Sequence, residues 1–190
     1  MARGQRAMAA VAADGGAPAL SAPLALGGIG LRRRHGGDDA FLAALFAAVR
    51  GPMLAGTGWP PARQQAFLRE QFALQTRHYA RAFPGLWPGI VEQSGRPVGR
   101  LYLWRRPDDI RVVDIALLPE ASGRGLGGAL LRCVLAEAAA GGRSVSLHVD
   151  LTNPAQRLYR RLGFRPEGEA TFPDQLLCWR PPVAAAADLA

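Results

Sequence analysis

Hydrophobic and polar positions repeat with two different periods along this chain of 190 residues. Up to residue 83 the apolar side chains recur every three or four positions, which predicts one helix through Phe41–Val49 and a second at 62–83. After Pro84-Gly85 the period becomes two, and Ser94–Pro97 has the composition of a hairpin turn. The alternating segments predict strands at 86–92, 98–104 and 110–118, preceded by an earlier strand at 29–34.

The second half of the chain alternates helices with strands. A helix is predicted at 129–140, a strand at 144–149, a short helix at 154–162 and two final strands at 164–168 and 171–179. The order is therefore β-α-α-β-β-β-α-β-α-β-β. Hairpin-linked strands pair antiparallel, whereas a helix between strands gives a parallel crossover. This predicts an α+β fold with a mixed sheet of about seven mostly antiparallel strands and helices on both faces.

Composition divides the chain into one domain with two tails. Residues 1–28 are rich in Ala, Gly and Pro and are predicted to be a disordered, low-complexity tail. Residues 29–180 suit a single domain, and 181–190 form a C-terminal tail. Residues 51–61, rich in Gly and Pro, are predicted to be a loop between the first two helices.

The net charge is strongly positive, and this limits the kinds of partner that the protein is expected to attract. The net charge is +8, and all 23 basic residues are arginines, so anionic ligands are attracted. The arginines are scattered and not interleaved with aromatics, so nucleic acid is not the expected partner. No apolar run is expected to approach the roughly 20 residues that span a membrane, so no membrane partner is expected. No metal site is expected either. Cys133 and Cys178 lie among apolar residues and are predicted to be buried free thiols. A cytoplasmic protein is therefore expected. The oligomeric state does not follow from the sequence.

A glycine-rich turn separates an apolar strand from a helix, and this suits a phosphate-bearing ligand. Glycines let backbone N–H groups approach a ligand closely, and the helix start adds partial positive charge. Gly123, Gly125 and Gly128 also satisfy the dinucleotide pattern G-x-G-x-x-G, with Asp150 at the end of the next strand. However, Pro119–Ser122 separate the strand from the first glycine, and a three-strand meander precedes it. This order disfavours a dinucleotide fold.

Two motifs resemble those of the GNAT-type N-acetyltransferase family. Residues 115–120 (Ile-Ala-Leu-Leu-Pro-Glu) followed by 123–127 (Gly-Arg-Gly-Leu-Gly) are similar to that family's acetyl-CoA loop. Residues 153–164, from Asn153 through Leu-Tyr-Arg-Arg-Leu-Gly-Phe, resemble its second signature. Ser122 stands where the family usually has Gln or Arg, and Asn153 precedes Tyr159 by six residues rather than the common seven. The resemblance covers roughly residues 29–180.

The resemblance implies an enzyme that transfers an acetyl group from acetyl-CoA to a primary amine, without a metal. The acceptor stays open: a small molecule, an amino acid or a protein N-terminus. Strand edge and loop residues are expected to bind the co-substrate, with a strand N–H at Leu117 or Leu118 facing the thioester oxygen. The expected cofactor-binding residues are Ala116, Leu117, Leu118, Gly123, Arg124, Gly125, Leu126, Gly127, Gly128 and Asn153.

Tyr159 is the expected general acid. The pKa of an unperturbed tyrosine, about 10, exceeds that of a thiol, about 8.5, so the hydroxyl is protonated and can donate to the leaving thiolate. The base is open between His148, Glu120, Asp114, Glu92 and a water-mediated route. His78 and Tyr79 are candidates for the wall of the acceptor pocket, although a surface position is the expectation, while 51–61 and 171–174 would shape the acceptor site. Two alternatives remain: a CoA-binding sensor or scaffold without turnover, and an RNA-directed acetyltransferase.

Overall fold

The elements of the protein follow the predicted order around one mixed sheet. The computed structural model describes residues 16–20, 24 and 27–182. The expectations for the rest of 1–28 and for 183–190 lie outside these residues. The elements are β1 (Ile29–Arg33), α1 (Asp39–Arg50), α2 (Pro61–Ala82), β2 (Trp87–Gln93), β3 (Arg96–Arg105), β4 (Asp109–Leu117), α3 (Leu126–Ala140), β5 (Ser144–Asp150), α4 (Gln156–Arg161), β6 (Arg165–Pro166) and β7 (Asp174–Trp179).

The seven strands of the described residues lie in the order β1-β2-β3-β4-β5-β7-β6. All neighbours pair antiparallel except β4 and β5, which are parallel and are connected through α3. The predicted fold class is confirmed. Side chains alternate across the sheet: Leu101 and Leu103 of β3 join the core cluster that contains α3, whereas Arg100 contacts Gln75 of α2 on the opposite face.

Three segments differ from the prediction. Residues Gly51–Thr57, expected as a loop, form a 3-10 helix, because Pro52 suits the first turn and Gly58 ends it at a φ of 66°. Helix α3 begins at Leu126 instead of 129. Strand β6 has only two residues, since Pro166 cannot donate an N–H to a ladder.

Part of the segment expected to be disordered is anchored to the domain. Leu20 packs against the hydrophobic core, and the carbonyl of Gly28 accepts a 2.7 Å hydrogen bond from the Ser94 N–H. These contacts attach the residues before β1 to the hairpin between β2 and β3.

One helical stretch among the described residues, Gly36–Thr57, is long and apolar enough to cross a membrane by length and composition. The expectation that no apolar stretch reaches this length is wrong on that measure. The stretch joins α1 to flanking 3-10 turns, and its buried side chains include Leu42, Leu45 and Phe46. In this fold α1 packs against β3 and β4.

A β-bulge in β4 opens the sheet. Tyr102 pairs with Asp114 but Leu103 pairs with Val112, so Val113 is the extra residue. The parallel pairing with β5 ends at the same place, where Val112 faces Leu147. A bulge bends its strand and increases the local twist, so β4 and β5 diverge beyond it. Residues 113–117 of β4 therefore present an edge that β5 does not cover.

Candidate active site

A cavity of about 880 Å³ lies where β4 and β5 diverge. Strands β4 and β5 form its floor, and side chains from the C-terminal part of α1, from α2 and from residues 152–154 complete its wall. His78 and Tyr79 both line it, so the surface position expected for Tyr79 is wrong. The bulged segment of β4 therefore lines the same cavity as residues of β5, α1 and α2.

Asp114 is the centre of a polar cluster in this cavity. The Tyr79 hydroxyl donates to its Oδ2 at 3.0 Å, and Arg100 Nη2 donates to the same oxygen at 2.7 Å. Arg100 Nη2 also donates to Gln75 Oε1 at 2.9 Å. Because both bonds to the carboxylate fall on Oδ2, Oδ1 remains available as an acceptor. Burial and the Asp114 charge raise the pKa of Tyr79, so its hydroxyl keeps its proton.

Tyr159 is placed at the cavity by the packing of α4. Its ring meets that of Phe164 edge-on, with centroids 5.8 Å apart, and the side chain is buried. Burial, followed by the nearby Asp114 charge, raises the pKa of Tyr159 to about 12. The hydroxyl is therefore protonated throughout the neutral range. Since a thiol has a pKa of about 8.5, complete proton transfer to a solvated thiolate would be uphill, and the favoured role is hydrogen-bond donation to sulfur.

The four candidate bases differ in whether they line the cavity. Asp114 and His148 line the cavity. Glu92 instead accepts a 2.6 Å hydrogen bond from Arg32 of β1, and Glu120 is exposed in the 3-10 turn Pro119–Ala121. The expectation that Glu92 or Glu120 could serve is not supported, because neither contributes to the cavity wall.

His148 is less suited than Asp114 to accept a proton. The Arg111 guanidinium contacts His148 Nδ1, and since arginine can only donate, this nitrogen must be the acceptor. The ring proton is then on Nε2. Burial and the Arg111 charge also lower the pKa of His148. The lone pair of the imidazole is thus already engaged, and Asp114 is the candidate base that remains available.

The glycine loop is open and rich in free N–H groups. Gly123 and Gly125 have φ values of 74° and 84°, and a Cβ at either position would meet nothing within 4 Å. The first N–H bond within α3 runs from Ala129 to the Gly125 carbonyl at 3.0 Å. The amides of 126–128 therefore have no intrahelical acceptor. Ser122 Oγ donates to the Leu118 carbonyl at 3.0 Å, so this side chain braces the loop.

Main-chain geometry distinguishes the two predicted oxyanion donors. The Leu118 N–H already donates to the Val98 carbonyl on β3 at 2.8 Å, so the expectation for Leu118 is wrong. Because N–H groups alternate along a strand, those of Ile115 and Leu117 point the other way, toward the gap beside β5. Ile115 was missed by sequence reasoning, since alternation becomes informative only once the β3 register is known.

The remaining predicted ligands are distributed around the cavity and the loop. Ala116 and Asn153 line the cavity. Asn153 Oδ1 accepts the Ala155 N–H at 2.9 Å, which caps the entry to α4. Arg124 is exposed in the loop, whereas Leu126, Gly127 and the buried Gly128 form the first turn of α3. These roles in binding stay predictions.

Besides Ile115, the residues that sequence reasoning missed are Gln75, Arg100 and Arg111. Arg100 interrupts an otherwise apolar strand, and its side chain is almost fully buried. A buried charge inside a strand pattern is a usable signal, because such a group needs a partner. Its partner Asp114 is 14 positions away, and only the strand register brings the two together.

Comparison with known proteins identifies the fold family. Residues 86–166, which include β4, the glycine loop and α4, match the model of the acetyltransferase (GNAT) domain. This part of the chain is therefore similar to a GNAT acetyltransferase domain. The predicted family resemblance is thereby confirmed.

Individual GNAT-related proteins are similar over parts or most of the chain. A Bacillus subtilis (strain 168) protein, provisionally named as a ribosomal protein bS18 alanine N-acetyltransferase, is 35% identical over 85 residues. That match covers 42% of this chain and 54% of the relative, so the chain spans about half the length of the curated relative.

Solved GNAT structures share the fold at low identity. The PaiA N-acetyltransferase of Thermoplasma acidophilum in complex with coenzyme A has a TM-score of 0.60 and 16% identity, covering 80% of this chain and 98% of that chain. YncA of Salmonella typhimurium with its cofactor acetyl-CoA has a TM-score of 0.51 and 20% identity, with coverages of 86% and 99%. These similarities extend the GNAT fold well beyond the segment matched by the domain model.

Proposed function

We propose that this protein is an N-acetyltransferase that uses acetyl-CoA to acetylate a primary amine. The observation that carries the proposal is the position of Asp114 and Tyr159 in one cavity, at the point where β4 and β5 diverge. Acetyl-CoA supplies the activated thioester. The residues of this chain supply binding, proton acceptance and stabilisation of the leaving sulfur.

The open loop and the free edge of β4 fit the two ends of the co-substrate. Amides of 123–128 have the geometry of an anion site and would hold the pyrophosphate. The N–H groups of Ile115 and Leu117 face the gap and would pair with the amides of the pantetheine arm, as an added strand does. One of them would also stabilise the thioester oxygen as it gains negative charge.

Asp114 and Tyr159 would handle the protons. The acceptor amine enters as an ammonium, and Asp114 Oδ1 accepts the proton that the nitrogen must lose before it attacks. The new carbon–nitrogen bond forms as the carbon–sulfur bond breaks. After the attack the nitrogen loses a second proton, which is delivered to the departing sulfur so that it leaves as the thiol, while the proton taken by Asp114 is released to solvent. Tyr159 donates a hydrogen bond to the sulfur as it departs. Arg100 and Tyr79 hold the Asp114 carboxylate in place throughout.

The acceptor is a small-molecule or peptide amine. The name of the Bacillus subtilis relative concerns an alanine of a ribosomal protein, which supports including peptide α-amines among the acceptors tested. We also place the protein in the cytoplasm, where thiols such as Cys133 and Cys178 remain reduced.

Release of free thiol from acetyl-CoA tests the proposal. Calorimetry first measures coenzyme A binding to the purified protein. A panel of alkylamines, amino acids, and peptides with free N-termini is then assayed for thiol release, with mass spectrometry of the acetylated product. We expect binding together with amine-dependent release. Binding without release from any amine would instead favour the sensor or scaffold, and absence of binding would reject both.

A further inference from the structure

Two arginines of the acceptor cavity have no carboxylate partner among the described residues, the exposed Arg50 and the half-buried Arg111. Three arginines line the cavity, namely Arg50, Arg100 and Arg111. Arg100 forms an ion pair with Asp114. Arg111 instead donates to two neutral groups, Ser146 Oγ at 3.1 Å and His148 Nδ1. Across residues 27–182, no carboxylate oxygen lies within 4.0 Å of its guanidinium.

The acids around Arg111 are engaged elsewhere. On its own strand, Asp109 accepts hydrogen bonds from Arg106, Ser144 and Ser146, at 2.6 to 2.8 Å. At the end of β5, Asp150 binds the backbone and hydroxyl of Thr152. Asp174 of β7 pairs in the ladder with Asp150, and its charge acts on His148. The nearest carboxylates therefore leave Arg111 without a direct counter-ion.

The position of Arg111 makes this unpaired charge costly. The residue is half-buried, and burial lowers the pKa of its guanidinium. Hydrogen bonds to two neutral groups and the more distant Asp109 charge replace only part of the hydration that this cation loses. An anionic group of a ligand would neutralise the charge of Arg111 and would accept charge-assisted hydrogen bonds from its guanidinium.

We infer that the acceptor carries a carboxylate bound by Arg111 while its amine lies at Asp114. This inference rests on the proposed function and adds the substrate class. Both residues line the same cavity and belong to the same strand, so their opposite charges fix the orientation of a zwitterionic acceptor.

The separation of the two charges restricts the class further. Arg111 and Asp114 are three positions apart, which at about 3.3 Å per residue places their Cα atoms about 10 Å apart at most. The Arg111 side chain bonds to Ser146 of β5, whereas Asp114 bonds to Arg100 of β3, so the two charged groups point to opposite neighbours of β4 and do not converge. The acceptor must therefore carry its carboxylate several bonds from the amine. The methylenes between them would contact the apolar wall formed by Leu45, Phe46 and Val49.

Such an acceptor has two sources, a small ω-amino acid or a peptide with an acidic second residue. Matched pairs distinguish charge from size: 4-aminobutyrate against 4-aminobutanamide, and the amidated peptides Ala-Glu-Ala against Ala-Gln-Ala. Each pair differs only in the carboxylate. We expect the acid of one pair to have a KM about ten-fold below that of its amide twin. The pair that shows the preference identifies the source.

Variants then test Arg111 itself. Arg111→Met should raise the KM of the preferred acid about ten-fold while leaving the KM of its amide twin unchanged. Arg111→Lys should retain part of the preference, because it keeps the charge but not the fork of donors. Arg96→Met, at an exposed position at the start of β3, is the matched control and should behave as the unmodified protein.

Binding provides a readout besides turnover. Calorimetric titration of the preferred acid into the protein should show binding that Arg111→Met weakens by a similar factor. Equal KM values for acid and amide, or an equal loss on both with Arg111→Met, would overturn the inference while leaving the acetyltransferase proposal intact. If no acceptor gives thiol release, the proposed function fails and this inference fails with it.

Discussion

The hydroxyl of Tyr79 on α2 lies 3.0 Å from Oδ2 of Asp114 on β4 and donates a hydrogen bond to it. This bond joins a helix from the first half of the chain to the bulged strand that opens the sheet. Arg100 donates to the same oxygen from β3, so the carboxylate is held from two sides. An acceptor amine then finds a fixed oxygen rather than a mobile side chain.

Asp114→Asn should lower kcat/KM by about 100-fold or more, because the amide cannot accept a proton from the amine. His148→Gln is the comparison, and we expect only a small loss since Arg111 already occupies the acceptor nitrogen of His148. Steady-state assays with one amine and saturating acetyl-CoA give both values. The opposite ranking would make His148 the base.

Tyr159→Phe should reduce kcat by about 100-fold to 10,000-fold without changing the Kd of coenzyme A. The ring that packs on Phe164 is preserved, so only the hydroxyl is lost. Tyr102→Phe is the comparison, because it removes a hydroxyl from the adjoining smaller cavity rather than from the active-site cavity, and we expect a much smaller loss of kcat. Turnover that survives the Tyr159 change would remove this residue from the mechanism.

Gly125→Ala should weaken coenzyme A binding in addition to straining the loop. Its φ of 84° costs an alanine about 1 kcal/mol, although a Cβ there meets no atom within 4 Å. Gly95→Ala, in the β2–β3 hairpin with a φ of 75° and equally open surroundings, carries the same backbone cost away from the loop. Urea unfolding should show similar destabilisation of both variants, whereas calorimetry should show a higher Kd for Gly125→Ala alone. A Kd unchanged by that substitution would argue against phosphate binding by this loop.

Asp38 should make stability depend on pH in the acid range. Its hydrogen bonds with Arg32, at 2.7 and 2.8 Å, are the main cause that lowers the pKa of the carboxyl from 3.8 to about 2. The contribution is thus complete above about pH 4 and is lost as the pH falls toward 2. It amounts to about 1–2 kcal/mol, since Arg32 is partly exposed.

Urea unfolding at pH 5 and at pH 3 checks this expectation. Asp38→Asn should be less stable than the unmodified protein at pH 5, and the difference should shrink at pH 3. Asp39→Asn is the control, because Asp39 is 62% exposed in its ion pair with Arg34. A difference that stays constant between the two pH values would show that the Asp38 charge is not responsible.

Much of the fold follows from local patterns in the sequence. The change of period near Pro84-Gly85 places helices before it and a meander after it, and each hairpin or crossover then fixes the direction of the next strand. The glycine loop and the position of Tyr159 also follow from residues adjacent in the sequence. These features depend on interactions within a few residues, which the sequence displays directly.

The sequence by itself therefore determined the order of elements, the resemblance to the GNAT family and the glycine loop. Only the tertiary structure decided that Val113 is bulged, that Leu118 turns its N–H toward β3 and that Arg100 and Tyr79 meet at Asp114. Those relationships depend on strand register and on contacts between distant segments. Periodicity gives the face on which a side chain lies, but it does not give the partner that the register places opposite.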